Sequence, residues 1–558
     1  MTVWRKSGPA TSNSSSHNPD RADVHSPDDG KATKEAAKRQ IVKVKRMNDA
    51  SDDQLETDNS RIEKKKPQIC QQGLFFVTVF SSLLGLLLAG CPSSKDKTSP
   101  KPVRPPVRGE ELEVFAPKSL NLPVYWEAML QEWSSQSGDS TKFVEFDDKD
   151  TFLTQPPVKS DSGGQLVLFP LRDFCSFETH LTPLSLYESQ LGSRDIFKGL
   201  RERALSRDRK FKAIPVSVPV LVCYYRRDLL RSARRKPPET WADYRELIES
   251  LDTWAPGLTA VEPLSPEFRA TTFFAKSLAF CKHPENYSVW FDIDTAKPTL
   301  NSPGFVEAIE TARRTWSKLP PEVSTYSPAD CRQMLLTGKA AMALTFEPLS
   351  SELIAGFPSN DSSKTQRIDG IEIGVCRLPG SRRVFNRNSS KWDNIPVGTV
   401  HAPALCGFAG LAVGVRLPPH RWSKDTAINF LINLDEPLMF DQAFAALPKG
   451  PCRESQLELA ASWFGPELSS EEASQYADAI SQSLRDMQLV FELPLIGAEE
   501  FRQAAAAALE PLIRGEADSE QTSNAMQQAF ELIVERLGAD AVRDSYRQGL
   551  GLSPRATK

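Results

Sequence analysis

Beyond residue 110 the apolar positions follow two rhythms. Short runs such as Leu112–Phe115 (LEVF), Gln165–Phe169 (QLVLF) and Ala340–Phe346 have strand length, and QLVLF has the unbroken apolar character of a strand covered on both faces. Between them, apolar residues recur at helical spacing. Trp126, Met129, Leu130 and Trp133 make one such stripe, and Phe305, Ile309, Ala312 and Trp316 another. Helix starts are marked chemically. Thr240-Trp241-Ala242-Asp243 has the form of a capping box, with Tyr244, Leu247, Ile248 and Leu251 on one face. Ser302-Pro303 and Ser327-Pro328 each supply a cap and a first-turn proline, and Gly338 closes the helix after Ser327. A further helix is expected from Ser423, with Ala427, Ile428, Leu431 and Leu434 inward. Residues from Glu499 to Leu537 are rich in Ala, Glu and Gln and predict helix. One β-rich run, Ala213–Tyr225 (AIPVSVPVLVCYY), is broken by two prolines, which implies an edge, a break or a crossing between sheets. Strands alternating with helices predict an α/β protein.

The first 109 residues read differently. Residues 1–60 are Ser-, Asn-, Asp- and Lys-rich without sustained apolar periodicity, a composition that predicts a disordered extension or a start assigned too early, with Met47 as the alternative start. Arg61–Lys66 (RIEKKK) then meets an uncharged run, Gly73–Gly90 (GLFFVTVFSSLLGLLLAG). A positive flank before a short apolar core is the physical form of an export signal, assigned here to 61–90. Leu88-Ala89-Gly90-Cys91 resembles the bacterial lipobox, which makes Cys91 the expected lipidation site. An uncleaved membrane anchor is the alternative, since 18 residues is borderline for a span. Residues 91–109, Pro-, Ser- and Lys-rich, read as a tether. The expected location is therefore the bacterial cell envelope, lipid-anchored on the outer side of the cytoplasmic membrane or in the periplasm.

Composition narrows the chemistry. The chain carries 25% charged residues and a formal net charge of −4, which gives no basic face for nucleic acid. Its six histidines are scattered. There is no H-E-x-x-H, no G-x-S-x-G and no phosphate-cradling loop, so neither an enzyme, a metal nor a cofactor is expected. Apart from Cys70 and Cys91, seven cysteines are widely spaced without C-x-x-C, and no disulfide pairing can be read from them.

The string Ile214–Leu251, IPVSVPVLVCYYRRDLLRSARRKPPETWADYRELIESL, resembles the signature of family 1 extracellular solute-binding proteins, the sugar-binding components of ABC importers related to maltose-binding protein. The proline-bearing strand, the aromatic pair with its basic and acidic tail, and P-x-T-W-x-[DE] opening a helix all occur in order. Gly338–Ala343 (GKAAMA), Gly407–Val413 followed by Trp422–Pro437, and Arg514-Gly515-Glu516 through Gln528 resemble three later segments of the same family. The resemblance spans roughly residues 110–552. It implies a two-lobed, type II periplasmic-binding-protein (Venus flytrap) fold with a helical C-terminal segment. Lobe I would comprise 110–217 and 345–415, and lobe II 218–344 and 416–552.

In such folds the ligand lies between the lobes, beyond strand ends, where aromatic plates and hydrogen-bonding side chains hold a sugar. By position the candidates are Lys118 after the first strand, Arg172 and Asp173 after QLVLFP, Tyr225 after the crossing, Phe346 and Glu347 after GKAAMA, and Phe408. The resemblance implies a monomeric receptor that takes a small polar solute, a carbohydrate, to an ABC permease. The alternative is an orphan or signalling lipoprotein on the same scaffold, with no permease and a ligand other than a sugar.

Overall fold

The two prolines in Ala213–Tyr225 mark where the chain changes sheets. In the computed structural model of this protein the described residues are 111–120, 123–147, 149–155, 163–207, 210–345, 367–407, 410–417, 426–434, 450–458 and 468–554. The expected signal, Cys91, the tether, Phe346, Glu347 and Phe408 lie outside them. The main strands are, in chain order, β1 (Glu111–Pro117), β2 (Ser140–Phe146), β3 (Gln165–Pro170), β4 (Ala213–Ser217), β5 (Val222–Arg226), β6 (Thr259–Val261), β7 (Ala340–Thr345), β8 (Ile373–Arg377) and β9 (Leu411–Arg416). They form a five-stranded sheet, β2-β1-β3-β9-β4, and a four-stranded sheet, β8-β5-β7-β6.

In the first sheet β1 runs parallel to β2 and β3, while β9 is antiparallel to both β3 and β4. Pro215 sits in β4, an edge strand, where a missing N–H costs no ladder bond on the open side. Val218, Val220 and Leu221 then cross, fully or nearly fully buried, into β5, an interior strand of the second sheet. There β5 is antiparallel to β8 and β7, and β6 is parallel to β7.

The lobe boundaries differ from the expectation at two places. The expectation places 345–415 in lobe I, yet β8 joins the second sheet, pairing from Ile373–Arg226 to Arg377–Val222. The return to the first sheet comes only with β9. The expectation places residues from 416 in lobe II, yet the helix Thr426–Leu434 contacts the segment entering β3 and the helix Pro123–Ser137 of the first lobe. Both departures arise from pairings between segments remote in sequence, which local pattern does not encode.

The helices used below are α1 (Pro123–Ser137), α2 (Trp241–Glu249), α3 (Arg269–Cys281), α4 (Pro303–Trp316), α5 (Pro328–Leu336), α6 (Thr426–Leu434), α7 (Ser470–Leu484), α8 (Ala498–Ile513), α9 (Ser519–Leu537) and α10 (Ala539–Gly549). Ala427 N–H of α6 donates to Gly163 O, and Phe430 meets Trp133 of α1 edge to face at 5.5 Å. The expected capping box forms at α2, Thr240 with Asp243; Ser327 caps α5, where Asp330 completes a box, whereas Ser302 before α4 makes no side-chain cap bond. The helical tail is split into α8 and α9 at Arg514-Gly515-Glu516, where Gly515 takes φ +74°. These helices belong to the second lobe, with Phe291, Phe501, Phe530 and Tyr546 packed as one aromatic cluster.

α7 seals the open edge of the second sheet. Glu472 Oε1 accepts from the N–H of Ile373 at 2.6 Å, and Gln475 Oε1 from that of Val375 at 3.2 Å. Positions three apart on the helix thus match N–H groups two apart on β8, which satisfies an edge that would otherwise invite another strand. Tyr476 stacks on Tyr224 of β5, 6.5 Å between centroids. Among the described residues no helix is long and apolar enough to cross a membrane.

A candidate ligand site between the lobes

The ends of β1 and β3 deliver the first polar groups. Lys118, following β1, pairs with Asp147 beyond the end of β2 at 2.8 Å, and that hydrogen bond raises its pKa. Both side chains are more than half exposed, so the pair is a solvated one. Arg172 and Asp173 follow β3 in a single turn of 3-10 helix. Asp173 lies 3.9 Å from Lys149. Burial pushes its carboxyl up, opposed by Arg172 and Lys149.

Arg172 lines a narrow furrow whose opposite wall comes from the second lobe. On the first-lobe side stand Phe174, Cys175, Arg203 and Arg207; facing them are Phe491, Glu492 and Pro494. Arg207 is ion-paired with Glu178, donates to Cys175 Sγ at 3.0 Å and lies 4.8 Å from the Phe174 ring. Arg203 Nη1 donates to Leu489 O at 3.3 Å, one direct bond across the furrow. Around Arg203 the furrow continues into a cavity of about 230 Å³ lined by Lys282, Tyr287, Trp290, Met487 and Tyr546. Lys282 donates to Asn286 O at 2.7 Å, and burial lowers its pKa to about 8, with Arg203 and Arg387 acting in the same direction.

Glu492 is the unusual member. Residues Leu405–Cys406 and Val490–Phe491 form a short parallel pair, and Glu492 N–H donates to Cys406 O at 3.0 Å, which fixes where the side chain begins. The residue is 5% exposed; Oε1 accepts from Thr271 Oγ of α3 at 2.8 Å, and Oε2 has no partner among the described residues. Burial raises its pKa to about 7, against the Thr271 hydrogen bond and the charges of Arg502 and Arg172. A carboxyl raised this far toward neutrality can donate when protonated and accept when ionised. Arg502 and Glu499, paired on the first turn of α8, act on both Glu492 and Asp173.

The expected residues are thus only partly brought together. Arg172 is in the furrow and Asp173 adjoins it, within reach of the same Arg502–Glu499 pair. Lys118 is engaged with Asp147 and does not line the furrow. Tyr225 is elsewhere: its ring, nearly buried, lines a separate cavity of about 750 Å³ in the second lobe, with Lys236, Glu239, Arg377 and Gln475. Sequence reasoning missed Glu492, Arg203, Arg207 and Thr271. Glu492 follows a two-residue strand with no periodicity, and only its remote partner Thr271, 221 positions away, marks it out.

The charged lining of the furrow is three guanidinium groups, Arg172, Arg203 and Arg207, and the one carboxyl of Glu492, an arrangement that can both donate hydrogen bonds to a polar molecule and accept one from it. Among the described residues no cluster of His, Cys, Asp or Glu is placed to hold a metal.

No protein-family model matches the chain, and no curated protein matches it in sequence. Solved structures do match in fold. The sugar-binding protein MalE from the phytopathogen Xanthomonas citri aligns with a TM-score of 0.54 at 16% identity, over 76% of this chain and 98% of its own. Maltose-bound MalE3 of T. maritima aligns at 0.52 and 14%, over 76% and 100%. An ABC transporter solute-binding protein from Agrobacterium radiobacter K84, in complex with ribitol, aligns at 0.51 and 16%, over 77% and 100%. The fold of this chain is that of the two-lobed solute-binding proteins.

Proposed function

We propose that this chain is an extracytoplasmic receptor that captures a sugar or sugar alcohol between its lobes and passes it to an ABC permease. The observation that carries the reading is Glu492, a buried carboxyl in the furrow wall whose Oε2 has no hydrogen-bond partner among the described residues, in a lining that also holds Arg172. A sugar hydroxyl is both donor and acceptor, so one hydroxyl can donate to Glu492 Oε2 while a second accepts from the Arg172 guanidinium. Closing the lobes about the crossing at 218–221 would remove water from both contacts and strengthen them. Fold relatives with maltose and ribitol bound support the ligand class.

Lipidation at Cys91, with 91–109 as tether, would hold the receptor beside its permease. Replacing Cys91 by Ala should give an unlipidated chain whose two-lobed body still folds; an intact, unacylated chain running through residues 73–91 would instead mean a membrane anchor.

The test of the ligand class is a thermal-shift screen of the purified protein against sugars and polyols, since a ligand that binds only the folded state raises its stability. A sugar or polyol should raise the midpoint, and Glu492→Ala or Arg172→Ala should weaken that shift about tenfold in ligand concentration, the loss of about 1.4 kcal/mol. A shift with an amine, phosphate ester or metal alone, and none with any sugar, would sink the assignment. One observation favours a second reading, a receptor without a permease whose ligand is not a sugar: beside Phe174 and Phe491 the furrow walls carry three guanidinium groups, Arg172, Arg203 and Arg207, against the single carboxyl of Glu492. Permease genes beside this one would count against that reading.

A further inference from the structure

Cys223 and Cys376 occupy one rung of the β5–β8 ladder, between the Tyr224–Val375 and Val222–Arg377 rungs. Directly opposed residues of an antiparallel pair project to the same face with Cα atoms about 4.5–5.5 Å apart, a spacing within the range of about 4.4–6.8 Å that a disulfide bridges. Cys376 is close enough to act directly on the Cys223 thiol and raise its pKa. Among the described residues no other two cysteines share a rung.

Access is unequal. Cys223 is fully buried, whereas Cys376 is partly exposed and lines the 750 Å³ cavity beside Tyr225, Arg377 and Gln475. On the neighbouring rung of that face the Tyr225 ring covers Gly374, so one flank of the sulfur pair is closed and the other opens to the cavity.

We propose that Cys223 and Cys376 are a redox pair that closes into a cross-strand disulfide by exchange with a disulfide donor, either oxidised glutathione or the disulfide of a dithiol oxidase. The Cys376 thiolate attacks one donor sulfur, the donor S–S bond breaks, and the first donor thiol leaves. Cys223 then gives up its proton and attacks Cys376 Sγ, expelling the second donor sulfur as a thiol. The protein loses two electrons and two protons, and the donor gains both. The hydrogen bond to Cys376, and then burial, hold the Cys223 thiol well above its ordinary pKa, so the second step is the slow one.

The bond would close a loop of 152 intervening residues, from Tyr224 to Val375, around α2–α5, β6 and β7. Long closed loops remove the most freedom from the unfolded chain. Neither cysteine lines the interlobe furrow, so this proposal stands or falls separately from the ligand.

The experiment incubates the purified native chain with oxidised glutathione, blocks remaining thiols with iodoacetamide, and maps peptides without reduction. The expected result is a linked pair of peptides bearing Cys223 and Cys376, two hydrogens lighter than their sum, and a thermal midpoint several degrees above that of the reduced protein. Cys376→Ala should abolish both. Carbamidomethyl groups on both cysteines after oxidation would overturn the proposal, as would glutathione persisting on Cys376 with Cys223 unreacted, or a link from either to another cysteine. The mapping of the unsubstituted protein decides this even if the variant misfolds.

Discussion

Tyr225 covers Gly374, its partner across the β5–β8 ladder, so closely that a Cβ on that glycine would lie 2.2 Å from Tyr225 Cζ. Gly374 has no positive φ, so the requirement for glycine is steric alone. Gly374→Ala should therefore cost about 1–3 kcal/mol, the usual range for overpacking a tight site. Combining it with Tyr225→Ala should recover part of that loss, a coupling of about 1 kcal/mol in a urea-unfolding double-mutant cycle. Additive losses would mean that the ring does not fill the space.

A second prediction concerns the sealed sheet edge. Burial pushes the Glu472 carboxyl up, but hydrogen bonds from Arg367 and the N–H groups of Ile373 and Ser469 outweigh it and hold the pKa below the usual range. A carboxylate depressed in the fold stabilises above its unfolded value, about 4.3, and that contribution is lost as pH falls through the folded one. Glu472→Ala should cost about 3 kcal/mol or more by stranding Arg367 and two backbone donors. Gln475→Ala, which frees only the Val375 N–H, should cost about 1 kcal/mol. Guanidinium titration of the two variants separates the cases.

Glu492 carries the opposite sign. Its pKa is raised to about 7, so the fold favours the protonated form while the unfolded chain ionises near the ordinary value of 4.5. Stability should fall as pH rises from about 4.5 to 7 and stay reduced above, by about 3 kcal/mol for a shift of this size. Glu492→Gln keeps an acceptor for Thr271 and cannot ionise. Its thermal midpoint should exceed that of the parent protein at pH 8 and match it at pH 5.

Lys276 and Glu262 form a fully buried ion pair at 2.7 Å, with the ammonium 4.4 Å from the Trp241 ring and Trp316 Nε1 donating to Glu262 at 2.8 Å. Burial lowers the lysine pKa, against the pull of Glu262. Lys276→Met alone should lose about 3–5 kcal/mol by leaving a lone buried charge. Lys276→Met with Glu262→Gln, which keeps the acceptor for Trp316, should lose clearly less. Equal losses in chemical denaturation would show that packing against Trp241, not charge, sets the cost.

What was legible in the sequence was local or periodic. The capping pair Thr240–Asp243 lies three residues apart and forms as read, Ser327 caps its helix as read, and the two prolines near Val218 foretold a change of sheet that β4 and β5 carry out. What was hidden depends on distant partners. The second-sheet position of β8 rests on β5, and the burial of Glu492 on Thr271. Tyr225 follows the crossing as its position suggested, yet its ring turns onto Gly374, a neighbour that only the ladder reveals. Positional analogy therefore found Arg172 in the furrow and missed the carboxyl opposite it.

The insertion of β9 between β3 and β4 has a consequence for assembly. As the polypeptide is synthesised, 193 residues separate the end of β4 from the start of β9. Until β9 is made, β3 and β4 have no strand to join them, and the first lobe cannot close its sheet. Such high contact order slows folding and leaves hydrophobic strands open in the nascent chain. For a protein proposed to leave the cytoplasm unfolded, that delay is useful: it keeps the chain threadable through a translocation channel until its last third is available to complete both lobes together.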